Sequence, residues 1–194
     1  MEKTLEQITT DCIKVVLYGP ESTGKSTLSK ALAEHYKTSY VPEYARTYLQ
    51  VKWDQHRTIC DKEDLGPIAL GQMQLENERL RKANKLLICD TDLLQTKVYS
   101  EVYYNGYCDP KVAYYAIRNT YDLYFLCATD IPWVPDDLRD KPNERNQMFA
   151  AFKNELEKQN LPYVLLKGSY QNRMDTATKH IDVLLDQKIK CTSI

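Results

Sequence analysis

The residues best suited to do chemistry begin in the stretch LYGPESTGKSTLSKAL, Leu17 to Leu32. Gly19, four further residues, Gly24, Lys25 and Ser26 fit the phosphate-loop pattern G-x-x-x-x-G-K-[ST]. The two glycines permit backbone angles that strain a residue carrying a Cβ. The loop's N–H groups and the following helix N-terminus then converge on an anion. Lys25 is placed to reach the outer phosphates of a nucleoside triphosphate, and the Ser26 hydroxyl to ligate Mg²⁺.

Other acids and cations complete a set. The run LLICDTD ends in Asp90, the form of a Walker B segment, and an acid there can hold Mg²⁺ directly or through water. Asp92 can cap the next helix, bind Mg²⁺ or accept hydrogen bonds from a sugar. In VPEYARTYL, residues 41–49, Glu43 is a candidate general base toward an acceptor hydroxyl, with Tyr44 and Arg46 to hold or stack on the acceptor. Glu43 can equally start a helix and favour its dipole. Residues 129–149 carry three Pro, Arg139 and Arg145, and read as a cationic lid. The bland alternative pairs those arginines with Asp136, Asp137, Asp140 or Glu144.

These residues need elements to hold them. Apolar, β-branched runs predict strands at 13–18, 38–42, 85–90, 122–128 and 162–167. Helical spacing fills 25–36, 43–52, 64–84, 92–104, 110–119, 144–159 and 171–188. Strands separated by helices imply a parallel sheet covered on both faces, with ligands outside the strands' carboxyl ends. The loop, Glu43 and Asp90 all follow strands. Sharing one Mg²⁺ requires strands one and three to be neighbours, so the expected order is 2-3-1-4-5.

The 194 residues favour one domain, 1–194. A net charge of −1 offers no clustered basic face, so no nucleic-acid partner is expected. No apolar run is long enough to span a membrane, and residues 1–12 lack a signal-peptide core. The six Cys lie far apart with no zinc spacing and read as reduced thiols of a cytoplasmic protein. A GTP switch lacks its guanine reader: the nearest match, DKED at 61–64, has Asp where Asn belongs. Two classes remain, a small-molecule kinase and a nucleotide-sensing module that binds ATP with little transfer.

Taken together, GPESTGKST, PEYAR, IALGQMQ at 68–74, CDTDLLQTKVY at 89–99, WVPDDLR at 133–139 and LPYVLLKGSYQNR at 161–173 resemble the ribosylnicotinamide kinase domain of NadR-type enzymes, a branch of the P-loop kinases. The resemblance covers nearly the whole chain. It implies a three-layer P-loop α/β fold, ATP and Mg²⁺ as cofactors, and phosphorylation of the 5′-hydroxyl of nicotinamide riboside. It assigns Gly19, Glu21, Ser22, Thr23, Gly24, Lys25, Ser26 and Thr27 to the triphosphate cradle. It places Glu43, Arg46, Asp90 and Asp92 on the acceptor or metal side, and Arg139 and Arg145 in the lid. Bifunctional members carry an adenylyltransferase domain with an H-x-G-H motif ahead of the kinase. Here about a dozen residues precede the first strand, and His35, His56 and His180 are isolated. The expectation is therefore the kinase part alone. The acceptor base and oligomeric state are not legible.

Overall fold

A computed structural model describes residues 4–139 and 141–192. In chain order it contains β1 (Ile13–Tyr18), α1 (Lys25–His35), β2 (Tyr40–Val41), α2 (Tyr44–His56), α3 (Leu65–Leu80), β3 (Leu86–Asp90), α4 (Leu93–Tyr103), α5 (Pro110–Ala116), β4 (Leu123–Cys127), α6 (Arg145–Lys158), β5 (Tyr163–Leu166) and α7 (Tyr170–Thr192). All five strands are parallel, in the order β2-β3-β1-β4-β5. The predicted order and fold class hold.

Alternation along β1 divides the core. Val16 and Tyr18 face a cluster that includes Met73, Val98, Tyr124, Phe152 and Leu156, from α3, α4, β4 and α6. Ile13, Val15 and Leu17 face Leu28, Leu32, Ala177 and Ile181, from α1 and α7. A strand buried on both faces reads as an unbroken apolar run, which is why IKVVLY was recognisable as a central strand. Tyr18 and Phe152 meet edge to face, with ring centroids 4.8 Å apart.

Several boundaries moved by local chemistry. The helix expected at 64–84 starts at Leu65, because Asp64 turns its carboxylate back to the Asp61 N–H in a short 3₁₀ turn over Lys62–Asp64. The predicted lid overran its end, since residues 145–149 are the first turn of α6. Asp140, weighed above as an ion-pair partner, lies outside the described residues. Cys12, Cys60, Cys89, Cys108 and Cys127 are all free thiols.

Phe152 is fully buried between Tyr18 and Tyr99. Phe152→Ala is expected to destabilise the fold by about 3–5 kcal/mol through the cavity it leaves, measured by urea unfolding.

Candidate functional site

The loop between β1 and α1 is built on three residues at positive φ: Gly19 (131°), Ser22 (54°) and Gly24 (81°). At Gly19 a Cβ would also lie 3.0 Å from the Cys127 carbonyl oxygen. Four loop carbonyls are held by side chains. Lys25 Nζ donates to Gly19 O and Pro20 O, both at 2.8 Å. Thr23 Oγ1 also donates to Pro20 O, at 2.8 Å. Arg145 Nη2 donates to Ser22 O and Arg173 Nη1 to Thr23 O, each at 2.9 Å. With the carbonyls held, the first N–H groups of α1, which have no intrahelical acceptor, are left for an anion.

Leu17 pairs with Asp90 across β1 and β3, so the loop and the acid share one crevice. Asp90 is buried and its Oδ1 has no hydrogen-bond partner. Burial pushes its carboxyl above the usual range, opposed by Lys25, by a hydrogen bond from the Ser26 hydroxyl and by Lys30.

From this point a cavity of about 490 Å³ extends toward the β2 edge of the sheet. Its lining includes Glu21, Lys25, Ser26 and Asp90 from the loop, α1 and β3, Glu43 and Arg46 from the start of α2, Tyr99, Tyr103 and Tyr104 from α4 and its end, and Arg139 from the lid. Glu43 is the N-cap residue of α2, the helix-start position of the alternative, where its charge favours the helix dipole, but its carboxylate makes no capping hydrogen bond. Burial raises the Glu43 carboxyl; Lys25 pulls it down, Asp90 pushes it up, and Arg46 and Arg139 lower it further.

Two expected acceptor residues sit elsewhere. Tyr44 is not a cavity residue. Its ring packs on α3 where Gly71 leaves room: a Cβ there would fall 2.1 Å from Tyr44 Cε1. Asp92 is fully buried beneath α4 and does not line the cavity either. Its Oδ1 accepts from Gln95 N (2.9 Å) and its Oδ2 from the Tyr124 hydroxyl (2.9 Å), the capping role among the three weighed. Burial pushes its carboxyl up to about 7.

The described lid residues, 129–139 and 141–144, include contacts to the loop. Ser22 Oγ accepts from Val134 N (2.9 Å), and Arg145 bridges Ser22 O and Ile131 O. Arg46 grips Asp136 with both nitrogens, at 3.2 and 2.7 Å, and Arg139 Nε meets the same carboxylate at 3.0 Å. Arg139 therefore adopts the ion pair named as the alternative to a phosphate contact.

A family model described as an AAA domain matches residues 14–173. The chain belongs to this family. It is also 31% identical over 164 residues to the trifunctional NAD biosynthesis/regulator protein NadR of Salmonella typhimurium, covering 82% of this chain but 39% of that protein. The AAA domain thus spans well under half the length of its curated relative. Two crystal structures share its fold at 20% identity. NadR in complex with NAD and AMP-PNP gives a TM-score of 0.72 over 88% of this chain and 49% of that one. NadR in complex with NR gives 0.70 over 86% and 50%.

The AAA domain also uses residues that the sequence reading passed over. Gln72 accepts from Tyr44 N at 2.8 Å and donates to Pro42 O at 3.4 Å, fixing the turn that carries Glu43. Gln95 Oε1 accepts from Gly19 N at 3.3 Å. Thr91 lines the cavity with φ 94°. The available signal was a polar side chain inside an apolar helical segment, as in IALGQMQ.

Asp136 holds two lid-side guanidiniums at partial exposure, where ion pairs contribute about 0–1 kcal/mol. Asp136→Asn is expected to leave the melting temperature nearly unchanged while speeding tryptic cleavage after Arg139 several-fold. Unchanged cleavage means that the Ser22 and Arg145 contacts alone close the segment.

Proposed function

We propose that this AAA domain is an ATP-dependent kinase that phosphorylates the 5′-hydroxyl of nicotinamide riboside to give the mononucleotide. The observation that carries the reading is one cavity lined both by Lys25, Ser26 and Asp90 and by Tyr99, Tyr103 and Tyr104. It provides room for a nucleoside whose sugar end reaches Lys25, Ser26 and Asp90. The likeness to NadR, solved with NR and with AMP-PNP, supports that choice of acceptor and donor. We read residues 1–194 as a single kinase domain. Among the described residues no helix is long and apolar enough to cross a membrane, and free thiols with a diffusible substrate suit the cytoplasm.

The donor sets suit Mg²⁺. Among the described residues no group of three metal-binding side chains occurs, but a site with one carboxylate, one hydroxyl, phosphate oxygens and waters is the usual form for this cation. The unpartnered Asp90 Oδ1 and the Ser26 hydroxyl would hold it. When bound, it would neutralise charge on the outer phosphates.

The chain's own residues divide the remaining work. Gly19 to Thr27 cradle the triphosphate, and Lys25 exchanges its carbonyl acceptors for phosphate oxygens. Arg139 and Arg145 add positive charge where the transferring group becomes more negative, and the lid keeps water from competing with the acceptor. Glu43 takes the acceptor's proton. Its carboxyl, raised by burial, is a better base than an exposed one once ionised. Phosphoryl transfer has a loose transition state, so the gain from the base is the smaller part.

The decisive experiment incubates the protein with ATP–Mg²⁺ and a panel of nucleosides. ADP release stimulated by nicotinamide riboside is expected; stimulation by another nucleoside alone changes the acceptor, and stimulation by none supports a nucleotide-sensing module. Lys25→Ala is expected to abolish transfer in a folded protein, since the ammonium serves a loop rather than the apolar core. For Glu43→Gln we expect kcat to fall at least about tenfold with ATP affinity nearly unchanged. Normal turnover in Glu43→Gln would remove Glu43 as the base.

A further inference from the structure

Arg173 stands in the first turn of α7, 4% exposed, and no role in the reaction above requires it. Its guanidinium uses four donor contacts. Nε donates to Gly168 O (3.1 Å), Nη1 to Thr23 O (2.9 Å), and Nη2 to Ala128 O (3.2 Å) and Asp130 Oδ1. Asp130 Oδ2 in turn accepts from Gly168 N at 2.6 Å. One side chain thus joins the phosphate loop, the end of β4, the root of the lid and the turn between β5 and α7.

A buried cation is an expensive staple. Apolar side chains of similar volume usually hold two elements together at lower cost. The acceptors here explain its use better than packing does. Thr23 C=O and Gly24 N–H belong to one peptide unit. A guanidinium on that carbonyl fixes the plane of the peptide and polarises its N–H, making it a stronger donor toward an anion. Arg145 does the same for the next peptide back, through Ser22 O. The cavity for the acceptor opens on the β2 side of the loop, whereas Arg173 braces it from the β5 side.

We infer that Arg173 is a positioning residue of the nucleotide site: it fixes the Thr23–Gly24 peptide of the phosphate loop and, through Asp130, ties that loop to the root of the lid. The inference rests on the reading of this loop as a triphosphate site. Its effect falls on triphosphate affinity and on lid closure, not on the acceptor.

The test compares wild type, Arg173→Lys and Asp130→Asn. Lysine keeps the charge but cannot reproduce a planar fork with four contacts. Asp130 is 39% exposed, so its amide variant is safe for folding even if Arg173→Lys is not. Affinity for a fluorescent ATP analogue, affinity for nicotinamide riboside and the melting temperature are measured. Tryptic cleavage after Arg139 is followed with and without ATP. Arg173→Lys is expected to bind the analogue at least about tenfold more weakly, a loss of ~1.4 kcal/mol, with nicotinamide riboside affinity within about twofold. ATP should protect Arg139 in wild type and fail to do so in the variant. Asp130→Asn should move both readouts in the same direction, by less. Folded variants with wild-type analogue affinity and wild-type protection reduce Arg173 to a structural staple and overturn the inference. A wild type that binds no triphosphate overturns the reading of the loop itself, and this inference with it.

Discussion

The parallel register of β1 against β3 is the constraint on which the site depends. Leu17 sits beside Asp90. One strand then releases the phosphate loop where its neighbour ends in a carboxylate. A shift of one residue would turn the other face of β3 into each core, placing Cys89 where Ile88 now packs. It would also carry Asp90 away from Ser26. The two apolar clusters therefore do more than stabilise the sheet: their alternating demands along β1 and β3 hold the Asp90 carboxylate beside the loop.

Around that register the loop is stabilised mainly through its carbonyls. Lys25, Thr23, Arg145 and Arg173 each take at least one. Three of the four are cations, and they come from the loop itself, the start of α6 and the start of α7. This concentration of positive charge has a physical reason. A loop whose N–H groups are to face an anion must send its carbonyls elsewhere, and buried carbonyls need donors. Cationic donors are the strongest available, and they add a field that favours the anion. Burial lowers the Arg145 guanidinium somewhat from its ordinary value, yet it remains charged, as guanidinium does under all physiological conditions.

How much of this was legible in the sequence follows from distance along the chain. The strands were legible because burial on both faces leaves unbroken apolar runs. The loop was legible because its chemistry is local. Tyr44 and Asp92 were misplaced for a shared reason: each follows a strand end, but position after a strand does not say which way a side chain turns. Tyr44 turned toward the gap left by Gly71, and Asp92 toward Tyr124. Arg173 ends a motif that carried the resemblance, but its role was not legible because its partner in the loop is 150 residues away. Gln95 and Gln72 reach 76 and 28 residues to Gly19 N and Tyr44 N. No periodicity records such contacts.

The segment Asp90–Thr91–Asp92 shows how one strained residue separates two jobs. Thr91 has φ 94°, a conformation that a β-branched residue seldom adopts and that costs on the order of 1–3 kcal/mol. The strain is sustained on both sides, by β3 pairing at Asp90 and by the α4 cap at Asp92. Its result is that acids only two residues apart face different surroundings. Asp90 opens into the crevice with one oxygen unpartnered, whereas Asp92 has both oxygens hydrogen-bonded in the core. An unstrained strand would send both carboxylates to the same face, since side chains two apart share one. Two buried acids side by side would then raise each other's pKa. The cap also fixes Gln95, whose side chain accepts from Gly19 N at the start of the phosphate loop. The strain at Thr91 thus leaves one carboxylate open to the crevice and sets the other to hold the framework on which the loop rests.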